Sequence, residues 1–390
     1  ARTAGVLKSV RESVPLSMTL SNGSVIEARS WDRPNGLYGP TVARIGVDEI
    51  GLITREARKA MFSRVRETRL AGMGHIRGVG NVQEVGGEAE LLYTAAEAGR
   101  HNWDCRSWTW RDRAEAAPCD CPDAALAIEA SGDHADDCHR GIYLRGLSEE
   151  KEDLGPSEFR QLYEAEWVDY SALPVYTFDR ERNVSRDATL DPLLPVELSC
   201  DFNVDPMVWI IGQHKGELSW DSDEIVIRGG ATTEQAARQF RERFPNRWTP
   251  VVVYGDASGA SRRTTSKQSD YDIIRSVFRP YYHKFSMQVP AANPAVTKRV
   301  NAVNARLINA AGEVRHTIHP RCKTLIRDRL RVNWRSGSRE IDKSDKTLTH
   351  ASDAADYRLV RLYPPRATVL RYKPARQLRA VGDPVLTEVF

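Results

Sequence analysis

An α/β fold is what the 390-residue sequence predicts, on three observations. Short strand-like runs bounded by turn formers, alternating in the first stretch, occupy residues 17–28 and 196–227. Beyond residue 231 strand-like and helical patterns alternate, the order that builds a sheet covered by helices on both faces. No apolar run approaches the ~18 residues needed to cross a bilayer, which excludes a membrane-spanning helix and assigns the apolar residues to cores.

The first elements are justified by local chemistry. Residues 17–20 and 24–28 alternate around Asn22-Gly23, a pair that favours the tight turn of a hairpin. Residues 41–47 form an apolar run predicted as a buried strand that delivers Asp48-Glu49 at its carboxyl end. Helical spacing covers 56–70, and Gly78-Val79-Gly80-Asn81 follows a short strand as a turn. Residues 104–141, with Pro118, Pro122, four cysteines and an acidic run, are expected as an irregular insertion. Pro156 opens a helix whose Phe159, Leu162 and Tyr163 share a face. The polar stretch 179–195 is the expected linker between a first domain, 1–178, and a second, 196–390.

The second half has a clearer order. Strands at 196–202 and 207–213 and a third that ends at 224–227 fit consecutive antiparallel pairing, and a helix at 232–244 precedes a buried strand at 251–254 that ends in Gly255-Asp256. A helix at 270–278, a strand near 284–285, a long helix at 294–311 and a strand at 315–318 follow. Helices at 320–332 and 352–362 complete the set.

With 56 basic and 53 acidic residues the formal charge is only +3, so any polyanion partner must be held by local patches. The chain opens without a charged-then-apolar leader and with six cysteines, a pattern of cytosolic thiols or metal ligands rather than a disulfide framework. Because residue 1 is Ala, further residues are expected upstream.

Three acids stand where a sheet-based metal site needs them. Asp201 lies in the apolar run 198–202, Asp256 ends a strand amid small residues, and Asp353 opens the last helix with His350 three residues before it. Hard divalent cations prefer carboxylate oxygen, and a pair of ions stabilises both the attacking and the leaving oxygen of a phosphodiester. An acid at a strand end also commonly caps a turn, and Ser352 or Thr349 would cap the last helix with Asp353 favouring its dipole. The motifs around the acids therefore matter more than the acids alone.

Read together, Asn22-Gly23-Ser24, Val47-Asp48-Glu49, Gly80-Asn81, Phe159-Arg160-Gln161-Leu162-Tyr163, Asp201-Phe202-Asn203, Gly255-Asp256-Ala257-Ser258-Gly259, Asn301 to Asn304 and Thr349-His350-Ala351-Ser352-Asp353-Ala354 resemble, in order and spacing, the large terminase subunits of tailed phages. The resemblance implies a ribonuclease H-like mixed sheet flanked by helices, preceded by an ASCE-type P-loop ATPase domain. It implies an endonuclease that cuts concatemeric double-stranded DNA during ATP-driven packaging. Asp201, Asp256 and Asp353 would be the catalytic ligands of two Mg²⁺ or Mn²⁺ ions. Asp48 would be the Walker B acid, Glu49 the base that activates water, and Gly80-Asn81 the coupling turn. Its implied partners are DNA, the portal protein, the small terminase subunit and further copies in a ring on the procapsid, in the host cytoplasm, with no membrane.

One departure is plain: no Gly-rich loop with the Lys-Ser/Thr ending that cradles phosphates occurs from Ala1 to Phe390, so a truncated ATPase domain is expected, with ATP a ligand of the full-length protein only. Arg262, Arg263 and Lys267 place positive charge just after Asp256 for phosphate contacts. Arg327, Arg329, Arg331 and Arg335 form a second basic stretch that suits a solvated helix face equally well. Cys119, Cys121, Cys138 and His139, with His134 nearby, could supply thiolate and imidazole to Zn²⁺, although their spacing differs from paired knuckles and suits loop cysteines too. Two other readings are a resolvase- or transposase-type nuclease of the same fold, and a non-catalytic DNA-binding assembly module.

Overall fold

The computed structural model describes residues 6–365 apart from 14, 40, 71–73, 83–84, 86, 101–103, 118, 120, 122–133, 137, 171–172, 204, 262–267, 336–337 and 339. It opens with an antiparallel meander of β1 (Leu7–Arg11), β2 (Leu16–Leu20) and β3 (Val25–Ala28). The hairpin between β2 and β3 turns at Asn22-Gly23, where Ser24 N–H donates to Asn22 Oδ1.

Next comes a βαβ unit. β4 (Arg44–Val47) pairs in parallel with β5 (His75–Gly78), and α1 (Arg55–Leu70) is the crossover. Ala57, Ala60 and Met61 of α1 are buried with Leu37, Val47 and Ile53. Val47 alone is buried in β4, where a fully buried strand was predicted, because among the described residues β4 has a single partner strand.

A helical layer follows, formed by α2 (Glu88–Glu97), α3 (Trp110–Ala116), α4 (His139–Asp153) and α5 (Pro156–Tyr163). The stretch predicted as irregular contains α3, which opens with a capping box between Thr109 and Asp112. Trp110, Ala114, Leu144, Leu147, Leu154 and Phe159 form its core. Residues 179–195, expected as polar and loose, include the short α6 (Arg180–Asn183), whose buried Asn183 amide donates to the Leu307 and His316 carbonyls. Val184 bridges in parallel to Ile318, so this stretch lies against the second half of the chain.

The largest layer is a six-stranded mixed sheet made of β6 (Val196–Asp201), β7 (Met207–Lys215), β8 (Leu218–Ile227), β9 (Val251–Gly255), β10 (Phe285–Met287) and β11 (His316–Ile318). Its order is β10-β9-β6-β7-β8-β11, with β6, β7 and β8 antiparallel and β9, β10 and β11 parallel to their neighbours. This is the mixed sheet predicted, with the three consecutive antiparallel strands that the spacing suggested. One face is covered by α7 (Thr233–Arg243) and α8 (Asp270–Phe278), the other by α9 (Val296–Leu307), α10 (Lys323–Arg331) and α11 (His350–Leu362).

Period-2 alternation decides which residues each face receives. Val196, Leu198 and Cys200 of β6 join Ala236, Phe240, Ile274 and Phe278 on the α7–α8 side. Glu197, Ser199 and Asp201 must then point at α11. On β7, Met207, Trp209 and Ile211 face α7–α8 while Val208 and Ile210 meet Ala351, Ala354 and Ala355 of α11. No helix of the described residues is long and apolar enough to cross a membrane.

Candidate active site

Each polar residue that β6 turns toward α11 finds a partner there. Arg358 donates to Glu197 Oε2 at 2.6 Å, Ser199 Oγ–H donates to the Ala354 carbonyl, and Asp201 Oδ2 lies 3.1 Å from His350 Nδ1. The parallel register pairs Cys200 with Gly255, so Asp201 and Asp256 are the next residues at the ends of two neighbouring strands. Asp353 stands in the first turn of α11, near enough for its charge to act on Asp201.

Asp201 is buried, and burial raises its carboxyl above the ordinary range, with the nearby Asp353 adding to the rise; hydrogen bonds from His350 and Asn203 work against it. Asn203 Nδ2 donates to Asp201 Oδ2 at 2.7 Å. His350 places its other nitrogen 3.0 Å from the Lys346 carbonyl. Asn203 Nδ2 also lies 2.5 Å from His350 Nδ1, so the ring, the amide and the carboxylate form one cluster. The pKa of His350 is raised, first by the hydrogen bond with Asp201.

Asp353 is equally well partnered. Arg299 NH2 donates to its Oδ1 at 2.5 Å and Lys343 Nζ lies 3.1 Å from Oδ2. Arg299 also reaches Asp356, one turn along α11, at 3.6 Å. Asp356 in turn accepts from Arg329 at 2.6 Å and from the Tyr176 hydroxyl at 2.8 Å. Asp256 caps its own turn, accepting from Ser258 Oγ and from Gly259 N–H at 3.0 Å. The small residues around it serve packing: a Cβ on Gly255 would meet the Tyr271 hydroxyl at 2.4 Å, and that hydroxyl donates to the Asp256 carbonyl.

Below the carboxylates lies a buried ion network that holds α11 on the sheet. Arg358 bridges Glu197 and Asp221, and Asp221 meets the His316 ring at 3.0 Å. Burial lowers the pKa of His316 against the pull of Asp221, and Ser219 Oγ lies 3.0 Å from the other ring nitrogen. The amino terminus of α11 is capped from α10: Asp328 Oδ2 accepts from Ala351 N–H at 3.0 Å and Ser352 N–H at 3.3 Å. Burial pushes the Asp328 carboxyl up to about 6. Neither Thr349 nor Ser352 makes the side-chain cap that the sequence offered.

Three carboxylates at the ends of two parallel strands and one helix suit a hard divalent cation by donor type and by the burial of Asp201, whose charge lacks solvent. They do not draw together as a tight ligand group, because Asp256 is turned into its own loop and Asp353 toward two cations. Cys119, Cys121, His134 and Cys138 do form such a group, with ligand atoms within 4.8 Å of one another. The imidazole in that cluster is His134; His139, placed in it by sequence adjacency, is exposed as the first residue of α4.

Asp48 and Glu49 stand elsewhere, exposed after β4. Asp48 Oδ1 accepts Glu49 N–H, and Glu49 adopts a left-handed backbone with φ +57°. The Gly78–Asn81 turn abuts this point. Ile50 N–H donates to the Val79 carbonyl at 2.9 Å, and a Cβ on Gly80 would stand 2.8 Å from Ile50 N. Arg262, Arg263 and Lys267 lie outside the described residues. In the second basic stretch Arg329 is buried on Asp356, and Arg327 is paired with Asp328 and the Thr347 carbonyl.

Arg299, Lys343 and Asp328 were not singled out from sequence. A basic residue mid-helix at 299 reads as a solvated face unless its partner, 54 residues away, is known.

No protein-family model matches the chain, and no curated protein matches it. Solved structures do. The large terminase of a thermophilic bacteriophage superimposes with a TM-score of 0.52 at 16% identity, covering 92% of this chain and 79% of that one. Its complex with ADP superimposes with a TM-score of 0.54 at 14% identity over the same shares. Identity this low speaks for the fold, and the chain has the fold of a phage large terminase: a helix-flanked mixed sheet preceded by a parallel βαβ unit.

Proposed function

We propose that this chain is the large subunit of a viral DNA-packaging terminase, and that residues 196–390 are its metal-dependent endonuclease. The observation that carries the reading is the placement of Asp201 and Asp256 at the carboxyl ends of two neighbouring parallel strands, with Asp353 in the first turn of the helix packed on that face. Asp201, Asp256 and Asp353 would hold Mg²⁺ or Mn²⁺. When bound, such ions supply Lewis-acid stabilisation of the attacking and leaving oxygens of a phosphodiester.

The chain's own groups prepare that site. His350 and Asn203 hydrogen-bond to Asp201 and favour its charged form against the burial that raises its pKa. Arg299 ties Asp353 to Asp356 and fixes its height on α11. Lys343, with 58% of its side chain exposed, neutralises Asp353 and can yield to a metal ion without uncovering the core. The orientation of α11 rests on Arg358 and on the Asp328 cap. Arg262, Arg263 and Lys267 would grip the phosphate backbone beside the site. That grip makes cleavage sensitive to salt and nearly indifferent to sequence.

In the first 178 residues, Asp48 and Glu49 fit the acidic pair of an ATPase whose phosphate loop is not in this sequence. The complete protein would use ATP to drive DNA through the portal, as a ring of copies with the small subunit, at the procapsid in the host cytoplasm. The resolvase-type reading keeps the same chemistry but leaves the βαβ unit unexplained. A non-catalytic module leaves Asp201 buried at a site with no task.

Plasmid DNA incubated with the purified chain decides among these readings. Nicking and linearisation with Mg²⁺ or Mn²⁺, abolished by EDTA, independent of ATP and steeply weakened by salt, is the expected result. Intact plasmid under every metal tested would leave the non-catalytic module standing. ATP turnover on the order of one per second or more, typical of enzymes, would show a phosphate-binding loop of another form.

A further inference from the structure

We propose a structural Zn²⁺ site at the junction of α3 and α4, with Cys119, Cys121, His134 and Cys138 as its four ligands. This site is separate from the nuclease carboxylates and does not depend on that reading.

The spacing of the ligand atoms is the first argument. His134 Nδ1 lies 3.4 Å from Cys119 Sγ and 3.7 Å from Cys138 Sγ. Zinc bonds of ~2.3 Å to sulfur and ~2.0–2.1 Å to nitrogen, set at tetrahedral angles, hold S and N about 3.6 Å apart. All four ligand atoms lie within 4.8 Å of one another. The set is three thiols and one imidazole, without a carboxylate. That composition is typical of closed structural zinc sites and unsuited to Mg²⁺.

The second argument is how firmly the chain presents these groups. His134 is buried, and its Nε2 has no hydrogen-bond partner among the described residues, so a bond at Nδ1 must offset the cost of burying the ring. The ring's approach requires Gly141, where a Cβ would stand 2.5 Å from His134 Cβ. Ala135 N–H points at Cys121 Sγ from 3.4 Å, and Cys138 N–H donates to the Ala135 carbonyl at 3.0 Å. Arg145 donates to the Asp136 carbonyl at 2.8 Å, and Arg140 to the Glu115 carbonyl at 3.0 Å, tying the turn and the end of α3 to the first turns of α4.

The third is need. Among the described residues the core of the α3–α5 layer is small, six buried apolar side chains with four partly buried ones packed on it, the setting in which a structural metal adds most. Its far end is already fixed to the nuclease half, where Ala310 N–H donates to the Leu154 carbonyl at 2.8 Å and the Asn309 amide to the Glu152 carbonyl at 3.0 Å. Gln161 of α5 reaches the Val82 carbonyl, at the βαβ unit, at 2.8 Å. A zinc ion would fix the near end of the layer that joins these two halves.

The test is elemental analysis of the full chain purified without chelator, with Cys138→Ser, His134→Ala and His139→Ala beside it. About one equivalent of Zn²⁺ is expected in the wild type and in His139→Ala, since structural sites hold zinc tightly. Cys138→Ser and His134→Ala are expected to fall below about a tenth of an equivalent on the same grounds. Replacing zinc by Co²⁺ in the wild type gives a readout that needs no variant to fold: thiolate charge-transfer and intense visible bands of a tetrahedral ion. A wild type with under about a tenth of an equivalent and no cobalt spectrum would reduce the cluster to hydrogen-bonded thiols and overturn the proposal. So would full zinc in His134→Ala. Unchanged zinc in Asp201→Asn would separate this site from the nuclease centre, and its loss there would contradict the assignment.

Discussion

Two acidic motifs at the ends of β-strands meet opposite surroundings in this chain. Asp48 and Glu49 leave β4 into solvent, with one partner strand beside them and a backbone contact from the Gly80 turn as their main support. Asp201 and Asp256 leave two central strands under a helix that brings Asp353, His350 and Arg358 with it. The first pair is placed by backbone alone. The second is placed by a buried charge network, which is costly to assemble and hard to alter one member at a time.

The largest effect on stability should come from that network. Arg358→Met leaves Glu197 and Asp221 without their cation in a fully buried setting, and breaking such a pair typically costs about 3–5 kcal/mol. Urea unfolding of the purified variant measures it. A loss under about 1 kcal/mol, the scale of an exposed pair, would mean that the two regions differ less than their burial suggests.

Asp328 offers a sharper probe because its effect has a sign in pH. Its folded pKa, about 6, lies above the ordinary carboxylate value of 3.8, so the unfolded chain loses this proton first as pH rises. Its stabilising contribution is therefore full below about pH 4 and lost on the way to about pH 6, a swing of roughly 3 kcal/mol at most. Asp328→Asn keeps an acceptor for the α11 amino terminus and removes the titration. Relative to wild type, the variant should be more stable at pH 7 than at pH 4.5, and an equal difference at both would refute the assignment.

The smallest effect belongs to the other region. Glu49→Ala or Asp48→Asn should change unfolding free energy by no more than about 0.5 kcal/mol, as exposed positions usually do. DNA cleavage should be untouched, because neither residue lies among the groups around Asp201. Reduced cleavage in either variant would couple the two halves more closely than the contact at Gln161 and Val82 implies.

What could be read from the sequence was local. The Asn22-Gly23 hairpin, the helix opening at Pro156, the alternation of β6 and the carboxylates at the ends of β6 and β9 each announce themselves within a few residues. Thr109 and Asp112 carried a capping signal for α3 in the same way, hidden by the prolines and cysteines that follow. The rest depends on partners far along the chain. Arg299 with Asp353, Asp328 with Ala351 and Arg358 with Asp221 are ordinary charged residues until the fold buries them together. His134 and His139 show the same limit at short range: nearness to Cys138 in sequence favoured His139, but the first turn of α4 carries that ring into solvent.

The central claim is that Asp201, Asp256 and Asp353 bind divalent metal. Mn²⁺ titration followed by electron paramagnetic resonance tests it on the wild type and on Asp201→Asn, Asp256→Asn and Asp353→Asn, each checked for unchanged thermal unfolding. Binding in the wild type, weakened by more than about a hundredfold in each variant, is predicted, since even groups that only orient a ligand are worth roughly 10–100-fold. Wild-type Mn²⁺ affinity in the three folded variants would place the metal, or the chemistry, elsewhere.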